Sequence, residues 1–521
     1  MKEGCYLKIR TIYSYVKKYI TKFNIIHTRL FKRFFIDNDY FDYLANEIKN
    51  FPVSNGSRYY SKINVNVGII ADEFIFESYV LTCNLIYISP DNWKSTLKKI
   101  KCLIVTTTWR GLNNEWIKIY DKNSKTNHII NEIIETTKKE GLKVIFYSKE
   151  DPPNMKYFLN IAQKCDYIFT SAEECVSEYI LKTGNRNCFV LPFAFNPLLY
   201  NPISINQKIK SNTALFAGSW MKKYPERIKT QKNLFNIILK NKLILKIIDR
   251  NYHIKNTRYV YPYKYIRYVV PSFKYKELSV LYKLHEYVLN FNSVTDSSTM
   301  YAARVCDASA CGSIIISNYS KGMVKNYPNV YVIENQSELT NLIGIKNKYS
   351  MRCDAIRTAF RNGTTFDRIN FLLTNCGIDT KKDYRLKIAI LISDKCKDKS
   401  KIKYMYNLQT YKYKQLFYRI SDLQLRNFDF VTIWDDSKNY SEYYIEDMIN
   451  CFKFTDSDFV TCCSEEESHK YTDFYEDVYE TVFSIKNNYS YLSDIFDNNN
   501  MKGYSLARSN VIMEVINENV V

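Results

Sequence analysis

The chain has 521 residues, 46% of them hydrophobic, and a formal net charge of +20. That length can bury several cores, and no run of eighteen apolar residues is present to form a membrane-spanning helix. Fourteen cysteines are scattered singly apart from Cys462 and Cys463, with no CxxC pair. This excludes a disulfide framework and a zinc-finger pattern, and it reads as reduced thiols.

The excess of lysine and arginine calls for an anionic partner, without choosing among nucleotide diphosphates, acidic glycans, a membrane face and nucleic acid. Nucleic-acid binding needs a basic stripe interleaved with stacking aromatics. Here Tyr and Phe fall mostly in apolar strands and helices, so no nucleic-acid partner is expected. The first residues lack an apolar stretch ending in a small-residue cleavage site, so the expected location is cytoplasmic.

Residues 1–64 open with a basic helical segment. Ile9, Ile12, Val16, Tyr19, Phe23, Ile26, Leu30 and Phe34 share one helical stripe, and Lys8, Arg10, Lys17, Lys18, Lys22, Arg29, Lys32 and Arg33 are interleaved with them. Two readings stand. Residues 8–34 lie peripherally on the inner face of an anionic membrane, or the stripe packs on the following domain and the lysines form a solvated face.

From 65 to 195, apolar strand patterns (VNVGII, LIYIS, CLIVTTT, KVIFYS, YIFTS, CFVLPF) alternate with helical ones. That alternation predicts a mostly parallel, Rossmann-like sheet with its ligands at the strands' carboxyl ends. Three polar clusters fall there: TTTWRGLNNEW (Thr106–Trp116), SKEDPP (Ser148–Pro153) and TSAEEC (Thr170–Cys175). Asp-Pro-Pro stops a strand and sets a sharp turn, so Glu150 and Asp151 are expected at the rim of a cleft. A rim carboxylate there serves as a general base or only holds the turn. The proline-rich LPFAFNPLLYNPI (Leu191–Ile203) reads as a linker.

Residues 196–380 form a second Rossmann-like half. The buried strand TALFAGSW has Gly218 near its end, where a small residue lets a ligand or facing backbone come close. Arg227 lies on the next helix and Arg250 closes the strand LILKIIDR, placed either to grip a phosphate or to pair with Asp249. Then Tyr287–Asn318 reads as one βαβ unit: a buried strand, a polar turn, a helix over about 299–310 capped by Ser297 or Ser298, Gly312 at the helix end, and a second buried strand. Backbone N–H groups at such a helix start suit a diphosphate.

Residues 385–521 begin after a charged connector with the strand KIAILIS. A strand, acidic turn, helix and strand follow in FDFVTIWDDSKNYSEYYIEDMINCFKFTDSDFV. Oxygen ligands at Asp435 and Asp436 are candidates for Mg²⁺ or Mn²⁺.

The runs LNFNSVTDSSTM (Leu289–Met300) and RVCDASACGSIIIS (Arg304–Ser317) resemble the nucleotide-sugar signature of the CgeB-like (spore maturation protein) glycosyltransferases, a GT-B family. The Trp109 loop, the Glu150–Asp151–Pro152 turn, the proline-rich linker and the AGSW, PER and DRNY segments are similar to the same family. The resemblance implies an α/β fold of GT-B type, with two Rossmann-like domains facing a cleft and a small C-terminal α/β module. In the family the first half supplies the acceptor side, here Trp109 and Glu115, and the second binds the donor. Donor contacts are then expected from Gly218, Arg227, Arg250, Asn292, Ser293, Asp296, Thr299, Arg304 and Gly312.

Asp307 stands where related enzymes use a Glu on the ribose hydroxyls, and it is grouped with Glu150 and Asp151 as a catalytic candidate. The chain departs from the pattern at Thr299, which replaces the first Glu of the paired motif of retaining relatives, and at Ala303, where the family has an arginine. The C-terminal module resembles a GT-A-like unit whose Asp-x-Asp has become Asp-x-Ser at Ser437, which favours an accessory or degenerate module. The expected function is transfer of a sugar from a nucleotide-activated donor to a glycan, protein or cell-surface polymer, with no metal in the GT-B half. The alternative is a non-catalytic nucleotide- or glycan-binding protein with an eroded pocket.

Overall fold

Val, Ile and Phe fill the first sheet's central strands on both faces, as a parallel sheet covered by helices on each side requires. In the computed structural model, which describes residues 37–254, 256–486 and 501–507, this sheet comprises β1 (Ile63–Ile70), β2 (Cys83–Tyr87), β3 (Cys102–Thr106), β4 (Lys143–Ser148), β5 (Tyr167–Thr170) and β6 (Cys188–Val190). All its pairings are parallel, in the order β2-β1-β3-β4-β5-β6. The chain direction across the sheet reverses between β1 and β3. Such a switch point opens a crevice at the carboxyl edge.

The second sheet comprises β7 (Lys210–Gly218), β8 (Ile244–Asp249), β9 (Val269–Val270), β10 (His285–Asn290), β11 (Ile314–Ser317) and β12 (Tyr331–Val332). Its order, β12-β11-β10-β7-β8-β9, again all parallel, is the doubly wound order read from the other side, with its switch point between β7 and β10. The loop after β10 is hydrogen-bonded to the loop after β5, so the carboxyl edges of the two halves meet. Two Rossmann-like domains facing a cleft make this a GT-B type fold.

The helix Thr365–Asn375 follows the second sheet in the chain but packs into the first half, where Ile369, Leu372 and Leu373 join Ile63, Ile104 and Phe169. Sequence order alone assigns it to residues 196–380. Thr364 and Asp367 form its capping box, and Phe195 bridges to Thr364, so linker and return helix cross between the halves side by side.

The C-terminal module is a seven-stranded mixed sheet. Its strands are β13 (Ile388–Ile392), β14 (Lys414–Phe417), β15 (Phe430–Trp434), β16 (Phe459–Cys463), β17 (Lys470–Thr472), β18 (Thr481–Ser484) and β19 (Gly503–Ala507), ordered β14-β13-β15-β18-β16-β19-β17 with antiparallel β18 in the middle. It is fastened to the second half by Arg357, whose guanidinium grips Asp447 at 2.8 and 2.6 Å, and to the segment after the first described helix by Arg58 on Asp456 and Asp458.

That first helix, Asn38–Asn50, rests on the second half through Leu44 and a 2.7 Å contact between Tyr40 Oη and His285 Nε2. The basic stripe at 8–34 lies outside the described residues. Among the described residues no helix is long and apolar enough to cross a membrane, and the cysteines are free thiols, most of them buried.

Candidate functional site

The second sheet's switch point is occupied by an arginine. Arg304 is the first residue of the helix Arg304–Ala310 and lies across the crevice. Its Nη1 donates to Asn290 Oδ1 of β10 at 3.3 Å, its Nη2 donates to Ala217 O of β7, and its guanidinium carbon is 5.0 Å from the Phe216 ring centre. Gly218 permits this approach: a Cβ there would stand 3.0 Å from Arg304 Nη2 and 2.4 Å from Phe216 Cζ. The small residue expected at Gly218 therefore makes room for a side chain of the site.

Arg227 joins it from the helix Pro225–Lys240, which starts with proline at its first turn. Burial, then the like charges of Arg304 and Arg250, push the Arg227 guanidinium down to about 10, against Tyr261 and Tyr224. The Nε atoms of both Arg227 and Arg304 are buried without a hydrogen-bond partner, and no ion pair joins either one to a carboxylate among the described residues. Arg250 is exposed at the end of β8, beside Asp249, whose Oδ1 accepts from Asn251 N at 3.0 Å. Three cations thus converge, with Asp249 and Asp307 as the neighbouring carboxylates. A like-charge cluster in a partly desolvated crevice is costly alone and becomes favourable once a phosphate supplies the missing acceptors.

Asp307 lies one turn beyond Arg304 and is 3% exposed. Its Oδ2 accepts from Tyr275 Oη at 3.0 Å, and Tyr275 Oη in turn accepts from Ser78 Oγ of the first half at 3.1 Å. Burial pushes the Asp307 carboxyl up to about 8, opposed by the Tyr275 bond and the Arg304 charge.

On the opposite wall, Asp72 ends the turn after β1 and organises the Trp109 loop. Its carboxylate accepts from the backbone N–H groups of Trp109 (3.1 Å), Arg110 (3.0 Å) and Gly111 (2.9 Å), and from Lys149 Nζ at 3.1 Å. Burial acts to raise Asp72, yet the Lys149 charge and the three amides outweigh it and hold the carboxyl below its usual range. Trp109, seated among Tyr120, Tyr157 and Phe158, donates from Nε1 to Glu150 Oε2 at 2.8 Å, and Asn154 Nδ2 donates to the same oxygen at 2.7 Å. The Glu150 carboxylate acts on Lys223 in the loop after β7, which places Glu150 on the cleft, facing the second half.

Several expected positions differ. The helix begins at Arg304, five residues later than the sequence pattern suggests, because Phe291–Ala303 is held open by side-chain bonds to the first half. Thr299 Oγ1 accepts from Glu173 N at 2.8 Å and donates to Ser171 O at 2.9 Å, while Ser297 Oγ donates to Glu174 Oε2 at 3.0 Å and Ser298 Oγ donates to Glu173. Thr299 and the serines therefore latch the two halves and do not stand at a helix start.

Asp151 is not at the rim: it is 0% exposed and accepts from Thr170 Oγ1 at 2.7 Å and Tyr179 Oη at 3.3 Å. The proline turn directs it inward, and burial raises its carboxyl. Gly312 takes a left-handed φ of 72° against Ile205 and Ile356, at the amino-terminal edge of β11. A helix antiparallel to its strands ends at the edge away from the cleft, so Gly312 is no donor contact.

Asn292 is buried, accepting from Ala302 N at 2.9 Å and donating to Ser317 Oγ at 3.2 Å, so it shapes the loop. Ser293 and Asp296 are exposed on that loop. Glu115 folds back on its own turn, accepting from Asn113 N at 2.6 Å and from Tyr87 Oη.

In the C-terminal module, Asp435 and Asp436 serve different partners. Asp435 Oδ1 accepts from Ser437, whereas Asp436 accepts from the amides of Lys397 (3.2 Å) and Asp398 (2.8 Å). No group of three His, Cys, Asp or Glu suited to a metal ion occurs among the described residues.

Asn290, Tyr275, Asp72 and Lys149 carry much of this geometry and were not singled out by pattern. Asp72 had one signal, an acidic residue two positions after the strand VNVGII.

No protein-family model matches the chain, and no curated protein matches it. Solved structures similar to it include an alpha-glucosyltransferase in complex with UDP, at 9% identity over 60% of this chain and 100% of that one, with a TM-score of 0.42. HepE of Anabaena in complex with UDP is similar at 11% identity over 60% and 91%, with a TM-score of 0.38. A glycosyltransferase of Rickettsia africae is similar at 12% identity over 60% and 98%, with a TM-score of 0.38.

Proposed function

We propose that this chain is a glycosyltransferase of the CgeB-like kind that draws its sugar from a nucleoside diphosphate donor. The observation that carries the reading is the cluster of Arg227, Arg250 and Arg304 at the β7/β10 switch point, in which the Nε donors of Arg227 and Arg304 are buried without a hydrogen-bond partner. A diphosphate meets those donors, and the arginines stabilise the negative charge that grows on it as the sugar departs. Because cations of the chain meet that charge, this half is proposed to work without a metal ion.

The acceptor, a glycan or polymer, lies on the Trp109 and Glu150 wall, with Glu150 as the candidate base. Asp307, largely protonated at neutral pH, donates a hydrogen bond toward the donor instead of serving as a base. A cytoplasmic location, with residues 8–34 against the inner membrane face, belongs to the same proposal.

A second reading has its own support. Trp109 and Asn154 both occupy Glu150 Oε2, and Asp151 is sealed in the core, which suits a binding protein that holds a nucleotide sugar without turning it over. Calorimetry of the full chain against UDP-, GDP-, TDP- and CMP-sugars, followed by donor hydrolysis and transfer assays, separates the two. Saturable binding of one nucleotide with turnover supports the transferase, binding without turnover supports the second reading, and no binding at all by folded protein defeats both.

A further inference from the structure

A cavity of about 570 Å³ lies between the second half and the C-terminal module. It shares no residue with the arginine cluster or the Trp109 wall. One side is the helix Lys348–Asn362, and the other is built from the module's helices Lys399–Leu408 and Tyr444–Phe452 and from the carboxyl ends of β16 and β19, at Cys463, Leu506 and Ala507. β16 and β19 are parallel neighbours. A boundary between domains and the carboxyl end of parallel strands are each places where small ligands are usually received.

The chemistry of the wall narrows the class of occupant. Ile356, Leu408, Phe454 and Leu506 make it predominantly apolar. Arg357 grips Asp447 through two bonds of 2.8 and 2.6 Å and stacks 4.2 Å from the Tyr443 ring centre, so this buried pair is internally neutral, and the other charges of the lining, Glu442 and Glu465, are exposed carboxylates that repel an anion. His469 is also uncharged near neutral pH, because burial and the Lys283 charge push it down to about 3. Its ring nitrogens meet Tyr349 Oη and Tyr504 Oη at 3.4 Å each, long contacts that a polar ligand group at the Tyr349–His469 corner would replace with a shorter one. Cys353 in the same wall is held up at about 12, mainly by burial, and stays a thiol.

We propose that this cavity is a second binding site, for an uncharged, mainly apolar molecule of drug size with one hydrogen-bonding end directed at Tyr349 and His469. A charged sugar nucleotide is not suited to it, since nothing in the wall would offset a phosphate.

The test uses the full chain with two uncharged apolar probes, Nile red and benzophenone, each carrying a carbonyl. Nile red is expected to bind saturably with blue-shifted emission, at least tenfold more weakly to Ser350→Trp and to Leu408→Trp, which fill the cavity from half-buried positions, and equally to Arg227→Ala. Benzophenone photolabelling of the unmodified chain is expected within residues 349–357 or 404–408 and to be competed by Nile red. Non-saturable emission, unchanged affinity in the two folded tryptophan variants, or label confined to other peptides overturns the proposal. None of these outcomes depends on whether the arginine cluster binds a nucleotide.

Discussion

Arg227 and Arg304 are like charges set against each other: each has a buried Nε without a partner, and the charge of Arg304, after burial, drives Arg227 down to about 10. Such an arrangement costs stability until an anion arrives.

Arg227→Met is therefore expected to raise the melting temperature of the ligand-free chain while removing the response to the donor nucleotide. Charge-assisted hydrogen bonds contribute about 1.5–3 kcal/mol each, so affinity should fall by roughly 10- to 100-fold. Thermal shift and calorimetry read both effects. A variant that loses stability and keeps its affinity would show that the arginine is structural.

Asp307 makes stability depend on pH with a definite sign. Its carboxyl stands at about 8 when folded against an ordinary 3.8, so between those values the folded chain holds a proton that the unfolded chain has released. Its favourable contribution is complete below 3.8 and is lost as pH rises through about 8. Replacing Asp307 with Asn is expected to flatten that fall by up to about 1.4 kcal/mol per pH unit, measured as urea midpoints from pH 5 to 8. Parallel profiles for the two proteins would contradict the assignment.

Asp72 holds three consecutive amides of the Trp109 loop together with Lys149. Removing one partner of a largely buried ion pair costs about 3–5 kcal/mol. Asp72→Ala should show that loss, with altered Trp109 fluorescence as the indole leaves Glu150. Unchanged emission would mean that the loop holds its shape without the carboxylate.

Thr299 bonds to both Ser171 O and Glu173 N across the cleft. Thr299→Val keeps the shape and deletes both bonds, each worth about 0.5–1.5 kcal/mol. Hydrogen exchange at the Glu173 amide should quicken by one to two orders of magnitude while the strand cores stay protected. Equal exchange in both proteins would show that the latch contributes nothing to closure.

Strands and their alternation with helices were legible in the sequence, because burial on both faces of a parallel sheet leaves nearly unbroken Val, Ile, Leu and Phe runs such as CLIVT (Cys102–Thr106), buried throughout. The two Rossmann-like halves and the general neighbourhood of Gly218, Arg227 and Arg250 follow from that pattern, since ligand-binding loops lie at strand ends, whereas the role expected of Arg304 came from the family resemblance. Side-chain direction within those loops did not follow. Glu150 and Asp151 are adjacent in sequence, yet one meets Trp109 on the cleft and the other Thr170 and Tyr179 in the core.

The start of the helix at Arg304 and the return of Thr365–Asn375 to the first half were likewise decided by partners far along the chain, whereas Asp435 and Asp436 were divided between a neighbour at Ser437 and the amide of Asp398. Local periodicity is set by the backbone's own repeat, whereas these features depend on hydrogen bonds and packing between segments more than a hundred residues apart, or on which of two neighbouring carboxylates reaches an amide first. The sequence by itself determined which segments are strands and which strand ends carry polar loops. The tertiary structure alone decided which of those polar groups face the cleft, because burial and long-range bonds assign each side chain its side.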